Sequence, residues 1–130
     1  MNEWIKKAME ARKNAYAPYS KFNVGAALVC KDGAVYTGCN VENASFGLTN
    51  CAERTAFFKA ISEGKRDFLR IVLVAGKEED IEPTVPCGAC LQVMTEFCNP
   101  EEFEIIMATS EEEYTRKYLK DLLPNSFSIL

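Results

Sequence analysis

The chain has 130 residues, 48% of them apolar and 26% charged, with a formal net charge of −4. That length suits one domain, residues 1–130, able to bury a core without disulfide or metal staples. The acidic balance, with basic residues dispersed among acids, argues against a polynucleotide partner, whose phosphates need clustered Lys and Arg. Met1–Lys7 lacks the apolar core of a signal peptide, and no apolar run is long enough to span a membrane. A cytoplasmic protein acting on a free small molecule is expected.

In chain order, Asn2 is placed to cap a first helix over Glu3–Ala15. Trp4, Ala8, Met9, Ala11 and Ala15 form its inward stripe, and Pro18 follows as a stop. Phe22–Cys30 is a near-continuous apolar run of small and branched residues, hence a buried strand. Lys31-Asp32-Gly33 is a hairpin turn, and Ala34–Cys39 returns as the second strand. Residues 40–49 read as loop. Asn50 and Glu53 have capping-box spacing before a helix that runs to Glu63 and stops at Gly64. Arg70–Ala75 is a strand, Gly88–Phe97 a helix and Phe103–Ala108 a strand. Tyr114–Arg116 is an edge strand, and Tyr118–Leu123 a short helix ended by Pro124. A hairpin followed by alternating helix and strand predicts an α/β fold, a three-layer α/β/α sandwich around a mixed sheet of about five strands.

There are six cysteines and no histidine. In a reducing compartment cysteine spacing points to metal or catalysis rather than disulfides. Cys30, Cys39 and Cys98 lie in apolar neighbourhoods and read as small buried hydrophobes, although Cys30 and Cys39 flank a hairpin and would be the pair to oxidise. Cys51-Ala52-Glu53 and Pro86-Cys87-Gly88-Ala89-Cys90 are different. Cys51, Cys87 and Cys90 all fall at predicted helix starts, where unpaired N–H groups and a partial positive charge favour thiolates. Cys87 and Cys90, three apart, can converge on one ion at about 2.3 Å per Zn–S bond. Three thiolates leave the fourth tetrahedral position to water, the mark of a catalytic rather than a structural zinc. With no imidazole available, Glu53 is the natural proton carrier. Three thiolates on a divalent ion leave one net negative charge, for which Arg54 and the helix N-termini can compensate. A redox Cys-x-x-Cys would leave Cys51 unexplained, and a four-sulfur structural site would need Cys98 or Cys39 as its fourth ligand.

These segments, together with Ala17-Pro18-Tyr19-Ser20-Lys21-Phe22-Asn23-Val24-Gly25-Ala26-Ala27-Leu28, Gly38-Cys39-Asn40-Val41-Glu42-Asn43-Ala44, Gln92 and Leu122-Leu123-Pro124, make the chain resemble the small homotetrameric cytidine deaminases nearly end to end. It carries Cys rather than His in the first motif, the three-cysteine form of the zinc deaminase signature. The resemblance implies hydrolytic deamination of cytidine and 2′-deoxycytidine in pyrimidine salvage, with one Zn²⁺ per subunit on Cys51, Cys87 and Cys90. Glu53 would move a proton from the attacking water to ring N3 and another to the departing amino group.

The resemblance further implies that Asn40 and Glu42 read the ribose hydroxyls, mainly the 3′-OH, so that both sugars are accepted. Phe22 would flank the pyrimidine and the Ala52 backbone N–H would meet its O2. Phe127 would stack on the base from a neighbouring protomer of a homotetramer. Taken without the family, Phe22 reads as strand packing, and Asn40 and Glu42 as loop residues. Phe46 stands where many relatives have Tyr, and Leu91 where Arg is common; tuning of affinity or assembly is expected. A polynucleotide adenosine deaminase would carry His-Ala-Glu and a basic surface. A nucleoside-antibiotic deaminase would lack the sugar-side pattern at Phe22–Leu28 and Asn40–Asn43. A zinc-stabilised binding module would not need Glu53.

Overall fold

The computed structural model describes all 130 residues. Helix α1 (Asn2–Arg12) precedes the hairpin β1 (Phe22–Cys30) and β2 (Val35–Cys39), then α2 (Ala52–Ser62). The long strand β3 (Phe68–Lys77) turns directly into the short β4 (Asp80–Glu82). Helix α3 (Gly88–Phe97), strands β5 (Glu104–Ala108) and β6 (Tyr114–Tyr118), and the single turn α4 (Leu119–Leu122) complete the chain.

The sheet runs β2-β1-β3-β5-β6, with β4 paired to β3 off that path. It is mixed: β3 and β5 are parallel, and every other pairing is antiparallel. A parallel pair cannot be joined by a tight turn, and here α3 makes the crossover.

Period-2 alternation along the central strands serves two cores. Ile71, Leu73, Ile105, Met107, Ala26 and Leu28 face α2, α3 and α4, where they pack on Ala52, Ala56, Phe57, Cys90, Leu91, Met94 and Leu119. Val72, Val74, Ala27, Ile106 and Ala108 face Ile5 and Ala8 of α1. Helices on both faces explain why β1 and β3 read as near-continuous apolar runs. Phe57 anchors the larger core, its ring 5.1 Å from Phe68 and 5.9 Å from Phe103.

The expected three-layer sandwich is present, with a sixth strand. Strand β4 was not expected because Asp80-Ile81-Glu82 is three residues with a single apolar side chain, too short for a periodic signal. Backbone alone makes that turn: Glu78 sits at φ 50°, and a Cβ on Gly76 would lie 1.8 Å from the Asp80 carbonyl.

Helix α1 starts at Asn2, not after it, with Met1 as its cap and no side-chain capping bond. It ends at Arg12 rather than Ala15, because Lys13, Asn14 and Ala15 donate to carbonyls three residues back and Tyr16 N then bonds to Asn40 O at 2.9 Å. Ile5, missing from the predicted stripe, is fully buried, whereas Trp4 is only half-buried, with the Arg70 guanidinium 4.9 Å from its ring centre. The predicted capping box does not form: Cys51 is the N-cap of α2 and makes no side-chain cap bond, while Asn50 Nδ2 donates to Thr55 Oγ1. Gly64, at φ 92°, provides the expected stop.

Candidate metal centre and the loop beside it

Two helix starts converge to build the sulfur cluster. Cys51 is the N-cap of α2, and Cys87 is the N-cap of α3, where its Sγ accepts from the Cys90 amide at 3.4 Å. Gly38 makes the convergence possible, since a Cβ there would lie 2.5 Å from the Ala52 carbonyl. The bare backbone of β2 thus lets the first turn of α2 lie directly on the sheet.

The three Sγ atoms lie within 4.8 Å of one another, with Cys87 to Cys90 at 3.4 Å and Cys51 to Cys87 at 3.9 Å. Sulfurs about 2.3 Å from a common tetrahedral centre lie near 3.8 Å apart, so the donor set fits Zn²⁺. Cys30, Cys39 and Cys98 are free thiols outside the cluster. Cys30 and Cys39 cannot pair across the hairpin: Cys39 faces Gly25 at one end of β1, and Cys30 stands at the other. Cys30 is a buried hydrophobe as expected, while Cys39 and Cys98 are only half-buried.

The electrostatics favour an anionic sulfur at Cys51. A hydrogen bond from the Cys90 thiol, followed by the Arg54 guanidinium, holds Cys51 down at about 5. Arg54 Nη2 donates to the Cys51 Sγ at 3.1 Å. The same sharing pushes Cys90 upward, through the Cys51 hydrogen bond first and burial second. Leu91 is 4% exposed and belongs to the larger core, so it brings no charge to the cluster. Arg54 is the cation whose guanidinium reaches the cluster, at the Cys51 sulfur.

Glu53 is a buried carboxyl, 5% exposed, on the same first turn of α2. Burial is the main reason its pKa is pushed up to about 7, and the nearby Cys51 sulfur adds to the rise. The first helical bond of α2 runs from Thr55 N to Cys51 O, so the helix itself does not claim the Ala52 N–H.

The expected sugar-side residues gather next to this centre. Val41 and Asn50 exchange backbone hydrogen bonds, each of 2.9 Å, which fastens residues 40–42 to the residue before Cys51. Asn40 and Glu42 are buried, at 8% and 6% exposure. Asn40 Nδ2 donates to Phe22 O at 2.8 Å and its Oδ1 accepts from Val24 N at 2.9 Å, which pins the start of β1. Glu42 Oε1 accepts from the Tyr19 and Ser20 amides at 3.0 and 3.1 Å, and Oε2 accepts from Ser20 Oγ. Phe22, Asn40 and Glu42 are thus joined within one network.

Phe127 lies apart from that network: it is 70% exposed, and its carbonyl accepts from Gln92 Nε2 at 3.0 Å, which ties the C-terminal tail to α3. Phe46 and Leu48, in a short 3₁₀ turn, are 64% and 71% exposed. The sequence reading gave no role to Ser20, and only its place two residues before Phe22 could have signalled one.

A family model for the cytidine and deoxycytidylate deaminase zinc-binding region matches residues 1–107. The cytidine deaminase of Halalkalibacterium halodurans is 51% identical over 124 residues, which cover 95% of this chain and 91% of that protein. The crystal structure of cytidine deaminase from Burkholderia pseudomallei superposes with a TM-score of 0.87 at 48% identity, covering 96% of this chain and 97% of that one. That from Mycobacterium tuberculosis gives 0.83 at 38% identity, over 98% and 97% of the two chains.

Proposed function

This chain belongs to the family of zinc-binding cytidine and deoxycytidylate deaminases, and from that premise we propose that it hydrolyses cytidine and 2′-deoxycytidine to uridine and 2′-deoxyuridine plus ammonia, in pyrimidine salvage. The observation that carries this reading is the juxtaposition of three clustered sulfurs with a buried carboxyl on the same helix turn.

Cys51, Cys87 and Cys90 would hold one Zn²⁺ per subunit. Bound there, zinc supplies the Lewis acidity that activates water for attack at ring C4. Glu53 carries protons between water and substrate. It accepts one from the attacking water, passes it to N3, and delivers one to the amino group as the C4–N bond breaks, so that a water is consumed and ammonia leaves. Burial keeps bulk solvent from competing for that proton. Arg54 offsets the negative charge of three thiolates through its bond to Cys51.

Phe22 flanks the pyrimidine, and the Ala52 N–H is free to meet O2. Asn40 and Glu42 read the 3′-OH, which both sugars carry, so the 2′ position is not discriminated there. A homotetramer with isologous contacts fits the apolar surface left open by Phe46, Leu48, Val85 and Phe127, with Phe127 stacking on the base of a neighbouring protomer's substrate. The free nucleoside, rather than a nucleic acid, suits the net charge of −4. No helix is long and apolar enough to cross a membrane, and a cytoplasmic location is part of this proposal.

The test mixes purified protein with cytidine and follows loss of the cytosine absorbance band, with zinc measured on the same sample. Turnover with one zinc per chain is expected. A zinc-loaded protein that leaves cytidine unchanged would overturn the reading.

A further inference from the structure

We infer that Ser20 is a positioning residue that locks Glu42 and Phe22 into one unit, so that the sugar-side carboxylate and the base-flanking ring keep a fixed relation. The inference rests on the reading of Glu42 as a contact to the sugar.

The Ser20 hydroxyl is used in both directions. It donates to Glu42 Oε2 and accepts from the Phe22 amide at 3.0 Å. A hydroxyl has one proton to give and lone pairs to receive, so a single oxygen links the two residues. The acceptor half of this arrangement is a local turn across residue 21, of the kind that serine makes to an amide two residues on. Lys21, the residue spanned, sits at φ 62°, in the left-handed region that side chains other than glycine rarely adopt. Its amide bonds to Ala17 O at 3.0 Å. The Ser20 bridge therefore helps to hold an unfavourable backbone state that points Phe22 into β1.

The rest of the network converges on the same two residues. Both Glu42 oxygens are held by one segment: Oε1 by the Tyr19 and Ser20 amides, Oε2 by the hydroxyl. Phe22 is held at its other polar atom by Asn40, which accepts from Val24 in turn. Removing the hydroxyl frees Oε2 and the Phe22 N–H at once, while both amides still grip Oε1. The carboxylate then keeps its place but loses its fixed rotation. Ser20 is half-buried and lies outside both apolar clusters, so the change leaves the core untouched.

The test compares kcat and KM of the zinc-loaded wild type, Ser20→Ala and Ser20→Thr on cytidine and on 3′-deoxycytidine. For Ser20→Ala, KM for cytidine should rise roughly tenfold with kcat within about threefold, because a binding contact rather than a proton carrier is disturbed. On 3′-deoxycytidine, which has no 3′-OH for Glu42 to read, the loss should be under about threefold. Ser20→Thr keeps the hydroxyl and should retain the wild-type ratio of the two substrates.

Equal losses on both substrates in Ser20→Ala would overturn the link between Ser20 and Glu42 while leaving the sugar reading intact. Wild-type enzyme indifferent to the 3′-OH would overturn both. If Ser20→Ala is too unstable to assay, Ser20→Thr decides, because a lost substrate ratio despite the retained hydroxyl also overturns the link.

Discussion

Arg54 reaches back over the first turn of α2 to place its guanidinium 3.1 Å from the Cys51 sulfur, three residues earlier on the same helix. Buried apolar side chains surround the turn, and Leu91 contributes no charge. In the function proposed above, Arg54 is the cation that compensates a three-thiolate donor set. Replacing it with Gln, which keeps the stem and removes the charge, is expected to lower zinc affinity or kcat by about 10- to 100-fold, as loss of a partner to a metal ligand generally does. Competition with a chromogenic chelator, read beside cytidine turnover, checks this. Unchanged values for both would remove Arg54 from the site.

Glu53→Gln separates catalysis from metal binding. The amide fits the same buried space but cannot carry a proton, so zinc content and melting midpoint should stay at wild-type levels while turnover falls by roughly 10⁴. A variant within tenfold of the wild type on cytidine would show that another group moves the protons.

Cys87 is exposed, so Cys87→Ser removes almost nothing from the packed interior. Any loss of stability then reports ligation, which couples to folding. The variant should bind less zinc and melt lower, and chelator treatment of the wild type should bring its midpoint down towards that of the variant. Full zinc stoichiometry in Cys87→Ser would point to a different donor set.

The Glu42 carboxyl gives stability a pH signature. Hydrogen bonds from Ser20, first its hydroxyl and then its amide, together with the Tyr19 amide, hold its pKa below the ordinary 4.5. A depressed folded-state pKa means that the unfolded chain takes up the proton first as pH falls. The stabilisation is therefore complete above the ordinary carboxylate range and disappears as pH drops through the folded value. Melting midpoints of wild type and Glu42→Gln should differ by a constant amount from pH 6 to 8, and the gap should close below about pH 4. A gap that widens in acid would reverse the assigned sign.

Gly25 tests the packing of α1 on the sheet. A Cβ there would meet Ala8 O at 1.9 Å and Arg12 N at 2.6 Å, both of them backbone atoms that cannot swing aside. Gly25→Ala should destabilise the fold by about 3 kcal/mol, the upper end of ordinary overpacking costs, measured by urea unfolding. Arg12 Nε also donates to Asn23 O at 3.0 Å, so lifting α1 should disturb the start of β1 and raise KM as well.

Much of this protein was legible along the chain because the relevant signals are local. The limits of β1 follow from the apolar run Phe22–Cys30, α3 from Gly88–Phe97, and the end of α2 from Gly64, since each depends on near neighbours alone. Cys51, Cys87, Cys90 and Glu53 were named from spacing at helix starts, and the absence of histidine restricted which donors were possible. The end of α1 and the strand β4 were not legible: the first is set by Tyr16 bonding to Asn40, the second by backbone turning at Gly76–Glu78.

What only the tertiary structure decided is which polar atoms share partners. The pattern Asn50-x-x-Glu53 read as a capping box, yet in the fold Cys51 is the N-cap and the Glu53 carboxyl is buried on the first turn of α2. Nothing in the order Ser20, Lys21, Phe22 announces that a carboxylate twenty-two residues on will accept a hydrogen bond from the serine hydroxyl. Propensity and periodicity report one residue's surroundings within a turn or two of chain. Hydrogen bonds between distant segments exist only once the sheet has brought those segments together, and they join Ser20 to Glu42 and Asn40 to the start of β1.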